Sequence, residues 1–229
     1  GGMTLTSVSA YRFYKTGEFG DQDLTPFYLG ARGNFERSEQ VSQELRLTSP
    51  SGGDVEWVVG GFYLHEDYAN QGIYPINIEG YYDLLFRGAF GGVSLRDFYA
   101  SIFLDGLACD APAPLCLNVQ KADNLWTLET TSLAAFGQLK YNMTDRLALT
   151  LGARFSSDEK NFTLDQSTFV GLPFIGVNFI VPVAFTDSQD QTNFSPKIAL
   201  SYEFTPDVTG YLTAAWGYKA GGFFPNIIS

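Results

Sequence analysis

Two cysteines, Cys109 and Cys116, close the segment Cys-Asp-Ala-Pro-Ala-Pro-Leu-Cys with six residues between them. Thiols this near in sequence tend to pair in an oxidising compartment. A disulfide is therefore expected, and closing so short a loop stabilises by ~2–3 kcal/mol. The alternative is a soft-metal site, for which only the remote His65 could assist. Upstream, Tyr81, Tyr82, Phe86 and Arg87 combine rings with a permanently charged guanidinium. That chemistry suits an anionic, aromatic metal chelate; the plainer alternative is that loop aromatics pack on one another. Arg154 and Lys219 add two more cations.

Carboxylates stand side by side in Glu66-Asp67 and in Asp158-Glu159-Lys160. Paired carboxylates can do acid–base work, but nothing positions a third partner. They read as solvated rims, and no catalytic residue is assigned. No phosphate-cradling Gly loop, catalytic Ser motif or zinc-ligand spacing occurs, so neither a metal site nor a cofactor is expected. The sequons at Asn142, Asn161 and Asn193 matter only in a eukaryotic secretory pathway and carry no weight.

The elements that must position these residues are strands. Between Leu147 and Phe155 the odd positions are Leu147, Leu149, Leu151, Ala153 and Phe155, against Ala148, Thr150, Gly152 and Arg154. Such period-2 alternation marks a half-exposed strand. Segments 194–204 and 208–219 repeat it, and less regular runs occupy 3–14, 38–49, 55–68 and 131–142. About seven long strands result, with Arg154 and Lys219 directed inward near the strand ends. Tight turns are expected at Ser49–Asp54, Asn142–Asp145 and Thr205–Asp207, where Gly, Pro, Asn and Asp supply the required backbone angles. Long connections cover roughly 15–37, 69–126 and 160–192. Within the longest, apolar positions repeat at helical spacing from Leu95, predicting a short helix near 95–105 after Ser94 as N-cap.

Composition narrows the class. The 229 residues are 16% aromatic and only 17% charged, against roughly 25% charged in an ordinary soluble domain. A formal charge of -11 repels nucleic acid, whose binding rests on neutralising phosphate with Lys and Arg. No run approaches the ~20 apolar residues of a spanning helix, and the first residues read as no signal peptide. Strands crossing a bilayer need only ~9–11 residues and look mildly hydrophobic.

Short turns at one rim and long loops at the other is the organisation of an outer-membrane β-barrel. Aromatics near the strand ends fit two interfacial girdles. Trp57, Tyr141, Tyr202, Phe204 and Tyr211 would form one, and Tyr14, Tyr63, Tyr68, Trp216 and Tyr218 the other. The rival is a secreted, soluble β-sandwich binding module. Partition discriminates: a barrel needs detergent or lipid, a sandwich does not. Seven spanning strands is odd and too few for closure, so the chain reads as the central part of a larger barrel.

Several short runs strengthen this reading. Ser42-Gln43-Glu44-Leu45-Arg46-Leu47-Thr48-Ser49 followed by Glu56-Trp57-Val58-Val59-Gly60-Gly61-Phe62-Tyr63 resembles a hairpin of TonB-dependent receptors. So do Phe136-Gly137-Gln138, Tyr141-Asn142-Met143-Thr144-Asp145-Arg146-Leu147 and Leu151-Gly152-Ala153-Arg154-Phe155. Phe194-Ser195-Pro196-Lys197 and Gly217-Tyr218-Lys219-Ala220-Gly221-Gly222-Phe223 complete the series in the family's order. The resemblance, over roughly residues 3–223, implies an all-β antiparallel transmembrane barrel of about 22 strands, closed by an N-terminal plug. It implies residence in the bacterial outer membrane and uptake of a scarce nutrient such as a ferric siderophore, with energy from the TonB complex. The implied partners are outer-membrane lipid, a small-molecule chelate, and TonB through a plug. Neither a plug, a TonB-contacting box nor a terminal aromatic residue is found here, so the energised step falls on no residue of this chain.

Overall fold

The computed structural model describes residues 2–21, 30–77, 87–89, 91–93, 119–166, 170–172, 177–180 and 182–223. Its strands are β1 (Thr4–Asp21), β2 (Ala31–Thr48), β3 (Val55–Asn77), β4 (Val119–Thr144) and β5 (Leu147–Gln166). They continue as β6 (Val170–Leu172), β7 (Val177–Ile180), β8 (Val183–Thr205) and β9 (Val208–Ala215). Among the described residues, seven form one sheet in the order β1-β2-β3-β4-β5-β8-β9, and β6 pairs with β7 in a small hairpin. Every pairing is antiparallel. The seven-strand expectation holds, and the sheet is open, with β1 and β9 at its edges.

All but the last strand of the sheet are longer than alternation suggested: β4 runs 26 residues and β3 and β8 run 23, against a usual ~5–6, whereas β9 stops at Ala215, short of the expected 208–219. The long connections shrink accordingly, from 15–37, 69–126 and 160–192 to 22–30, 78–118 and 167–182. The tight turns sit where expected. At the first, Gly52 takes φ 84°, a left-handed conformation that favours glycine. Its amide donates to Glu56 Oε1 at 3.1 Å, and the Trp57 amide donates to Ser49 Oγ at 2.8 Å.

Cross-strand register sorts the side chains into two faces. On one, the rows Trp57–Leu139–Leu151–Ile198 and Val55–Tyr141–Leu149–Leu200 lie abreast; we call it the Leu151 face. On the other lie Gly60–Phe136–Arg154–Ser195, the Arg154 face. Leu133, Leu139, Leu151, Phe155, Phe194 and Ile198 are all 41–61% exposed on the Leu151 face. Buried hydrophobic residues among those described are Ala31, Phe162 and Leu164. A soluble sandwich would cover its apolar face with a second sheet. No such sheet is described. So large an apolar surface is instead the kind that lipid or another apolar partner covers.

The apolar side changes over along the central strands β4, β5 and β8, while on β1 and β2 Phe19 and Phe35 stay on the Leu151 face. On β5 the odd residues Leu147 to Phe155 are apolar and face outward on the Leu151 face; beyond Ser156-Ser157 those positions become Glu159, Asn161, Thr163 and Asp165. There the even residues Phe162 and Leu164 are apolar and buried on the Arg154 face. β4 does the same, from Leu133, Leu139 and Tyr141 to Trp126 and Leu128, as does β8, from Phe194, Ile198 and Leu200 to Phe185. The central part of the sheet thus has two storeys of opposite polarity. This corrects the girdle assignments in part. Trp57, Tyr63, Tyr141, Tyr202 and Phe204 share the Leu151 face, but Tyr14, Tyr68 and Tyr211 lie opposite Ser38, Leu128 and Ser201 on the Arg154 face. Tyr218 lies beyond β9, where its hydroxyl meets Asp158.

Candidate functional site

The second storey of the Arg154 face gathers aromatic rings from three central strands, a fourth beside them and the chain beyond β9. Tyr68 on β3 lies 4.8 Å from Trp126 on β4, Trp126 lies 6.0 Å from Phe162 on β5, and Phe162 lies 5.6 Å from Phe185 on β8, each pair tilted. Tilted and offset rings suit the aromatic quadrupole. Phe223 completes the group by stacking on Phe162 at 4.9 Å and 13°. Phe162 is 2% exposed and Leu164 1%, so these rings are a packed patch.

Residues 216–223 reach that patch as a strap. The Trp216 amide still donates to the Pro196 carbonyl at 3.0 Å, as a strand would. Thereafter the chain crosses the wall. Tyr218 donates its hydroxyl to Asp158 Oδ2, Lys160 Nζ donates to the Gly221 carbonyl, and the Gly221 amide donates to Gln191 Oε1 at 3.0 Å. Asp158 also accepts from Ser132. The hydrogen bond to Asp158, and then burial, push the Tyr218 phenol above its usual pKa, with Arg154 acting in the opposite direction. Asp158 and Lys160, read from sequence as solvated rims, are thus anchors of the strap.

Beneath the patch, Arg154 lies over the rings of Phe62 at 5.6 Å and Phe136 at 5.9 Å, while its Nε donates to Ser156 Oγ at 3.0 Å. Cation–π contacts of this kind hold a guanidinium without neutralising it. Gly60 makes the platform possible. A Cβ there would stand 2.5 Å from Phe136 Cζ and 2.6 Å from the Leu45 carbonyl oxygen. The ring can swing, but the backbone cannot. Gly60→Ala is therefore expected to destabilise by about 1–3 kcal/mol, as overpacking does, and to loosen Arg154. Denaturant unfolding of the protein beside Gly53→Ala, whose Cβ meets nothing closer than 3.7 Å, checks this.

Other polar groups of this face form two bonded sets. Arg12 pairs with Glu66 at 3.3 Å, Glu66 also accepts from the buried Ser38 at 2.7 Å, and Asn70 donates to Asn34 at 3.0 Å. The upper wall therefore presents rings, amides and both signs of charge, chemistry able to grip a large, rigid, anionic ligand with aromatic groups.

Of the residues singled out from sequence, Arg154 lies in this wall. Arg87 lies in the connection between β3 and β4, in a single helical turn; its Nη1 donates to the Gly92 carbonyl at 3.3 Å. Lys219 is exposed on the strap. Tyr81, Tyr82, Phe86, Cys109, Cys116 and the 95–105 helix lie outside the described residues. Sequence reasoning missed Trp126, Phe162, Phe185 and Phe223. For the first three the available signal was the change of apolar parity along each strand.

Comparison with known proteins agrees with this architecture. A solved structure, the ferric yersiniabactin uptake receptor FyuA from Yersinia pestis, superposes with a TM-score of 0.61 over 91% of the chain at 16% identity. At that identity the likeness concerns the fold. The chain spans 24% of the FyuA chain. The sequence pattern of the TonB dependent receptor-like β-barrel family matches residues 3–229. With nearly every residue inside that match, the chain belongs to the TonB-dependent receptor β-barrel family.

Proposed function

We propose that this chain forms part of the wall of a bacterial outer-membrane receptor that takes up a scarce nutrient, a ferric siderophore or similar metal chelate. The observation that carries the reading is the change of polarity between storeys. The lower Leu151 face suits lipid, whereas the upper Arg154 face turns rings and charges to the opposite side, where a ligand arriving from water is received. Arg154, held on Phe62 and Phe136, supplies a cation for an anionic chelate, and Trp126 with Tyr68 supplies flat apolar surface. FyuA, a ferric yersiniabactin uptake receptor by its description, supports the same class of cargo. The role is transport rather than catalysis. Energy coupling falls to a plug and its TonB partner, outside these residues. In the β3–β4 connection Tyr81, Tyr82, Phe86 and Arg87, and on the strap Lys219, are proposed as further contacts, and Cys109–Cys116 as a disulfide that constrains that connection.

The test is uptake of radio-iron by cells whose sole copy of the receptor is wild type, Trp126→Ala or Arg154→Gln. Catecholate, phenolate and hydroxamate ferric chelates are offered separately. One chelate should be taken up by the wild type, with apparent affinity falling about tenfold in each variant at equal surface abundance, the loss of one good polar or ring contact. Uptake of the preferred chelate with unaltered affinity in both variants would remove this wall from the binding site.

A further inference from the structure

On the Leu151 face, in the first polar rows above the apolar band, His65, Asp67 and Glu129 converge. His65 and Asp67 are two apart on β3 and share that face, and Asp67 lies directly opposite Glu129 on β4. One potential ligand atom from each lies within 4.8 Å of the others. On its other flank Asp67 faces Glu39 of β2, so three carboxylates stand abreast. Like charges directly opposite on neighbouring strands are destabilising. Glu39 is compensated by Arg37 at 3.3 Å and by the Tyr11 hydroxyl at 3.2 Å. Among the described residues Asp67 has only His65 as ion-pair partner, at 3.6 Å, and Glu129 has none. Among the described residues no cation pairs with Glu129; the nearby Arg37 is engaged by Glu39.

The imidazole is already oriented to share in holding one. Its Nδ1 lies 3.1 Å from Thr131 Oγ1, and its Nε2 faces Asp67. Metal-binding histidines are held in this way, one nitrogen fixed by a hydrogen-bonding partner and the other turned to the ion. Asp67 and Glu129 also line a depression of about 350 Å³ with Arg37, Glu39 and Thr127, leaving room for further ligands. Bonds of ~2.0–2.2 Å allow donor atoms up to roughly 4.4 Å apart, so the exposed Glu129 needs only a small rotation.

We propose that His65 Nε2, Asp67 and Glu129 form a binding site for a divalent cation of the zinc type, separate from the ligand-facing wall. One imidazole with two carboxylates is a donor set that such ions accept in three positions, the fourth being open. The bound ion neutralises the carboxylate row and ties β3 to β4 where the sheet leaves its apolar band.

The experiment uses the whole receptor, purified in detergent, stripped with chelator and titrated calorimetrically with zinc chloride. The comparison is with His65→Gln, Thr131→Val and the double variant Asp67→Asn/Glu129→Gln, each first shown to keep the folded, heat-modifiable mobility of the wild type. The wild type should bind about one more equivalent of zinc than His65→Gln or the double variant. Thr131→Val should weaken that site ~10-fold or more, the effect of losing an orienting partner. Equal zinc stoichiometry and affinity in all four proteins, or no binding by the wild type, overturns the site. Loss in the carboxylate variant with none in His65→Gln also overturns it, because an acidic patch without the imidazole then explains the binding. Should the double variant not fold, His65→Gln and Thr131→Val decide alone.

Discussion

Phe162→Ala is expected to lower the stability of the receptor by about 3–5 kcal/mol, the range for truncating a buried aromatic ring. The ring is 2% exposed and stands among Trp126, Phe185 and Phe223. Its removal loses the transfer energy of the side chain and leaves a cavity that two strands and the strap cannot easily close. Phe223 also loses the surface it stacks on, so the strap is left to the polar contacts of Tyr218 and Gly221. Phe194→Ala is the matched comparison: an aromatic of the same type, 61% exposed on the Leu151 face, opposite Phe155, which is itself 53% exposed. Chemical unfolding of both variants in lipid vesicles checks the difference. A Phe162→Ala cost no greater than that of Phe194→Ala would mean that the patch is not a packed unit.

Leu151→Arg is expected to cost about 2–4 kcal/mol, the penalty for a cationic side chain near the middle of the lipid-facing surface of a barrel. Leu151 lies between Leu139 and Ile198 and is 45% exposed, so nothing on the sheet can shield the new charge. Gln138→Arg places the same charge within one row of it but on the other face, opposite Gly152, and should be nearly neutral. Unfolding in vesicles separates the two. Equal penalties would show that the Leu151 face does not meet hydrocarbon.

How much of this could be read from the residues depends on the storey. In the lower one the alternation from Leu147 to Phe155 is self-contained, since apolar-out and small-or-polar-in repeats every second residue whatever the neighbours do. The three tight turns were legible for the same local reason. In the upper storey Glu159, Asn161 and Thr163 make the outward face polar while Lys160 and Asp158 keep polar groups on the other. The contrast fades, and strand reads as loop. The patch itself depends on register. Trp126 and Phe162 meet because β4 and β5 pair far beyond their turn, and Phe185 joins only after the β6–β7 excursion returns the chain to β5. The aromatic residues Tyr14, Tyr68 and Tyr211 were assigned to girdles by position along the strand alone, and parity places them on the other face. His65 and Glu129 lie far apart in sequence, so no local spacing could announce their meeting.

The change of face at Ser156-Ser157 also acts as a ruler. At ~3.4 Å per residue and a tilt of ~35–45°, Leu147 to Phe155 rises roughly 19–22 Å, a little under the ~25 Å height of a lipid-facing band. Phe162 is seven residues further on, which by the same arithmetic raises it roughly 18 Å above the hydrocarbon edge. Headgroups add only about 5–8 Å per leaflet. With the band seated in lipid, the aromatic patch therefore stands clear of the headgroups, in the aqueous zone, and Asp67 and Glu129, in register with Asn161 one residue before Phe162, lie at nearly the same level on the other face. The two sites thus share nearly one level but face opposite sides of the wall, so that, on the proposed function, the aromatic patch receives its chelate on one side and the cluster its cation on the other.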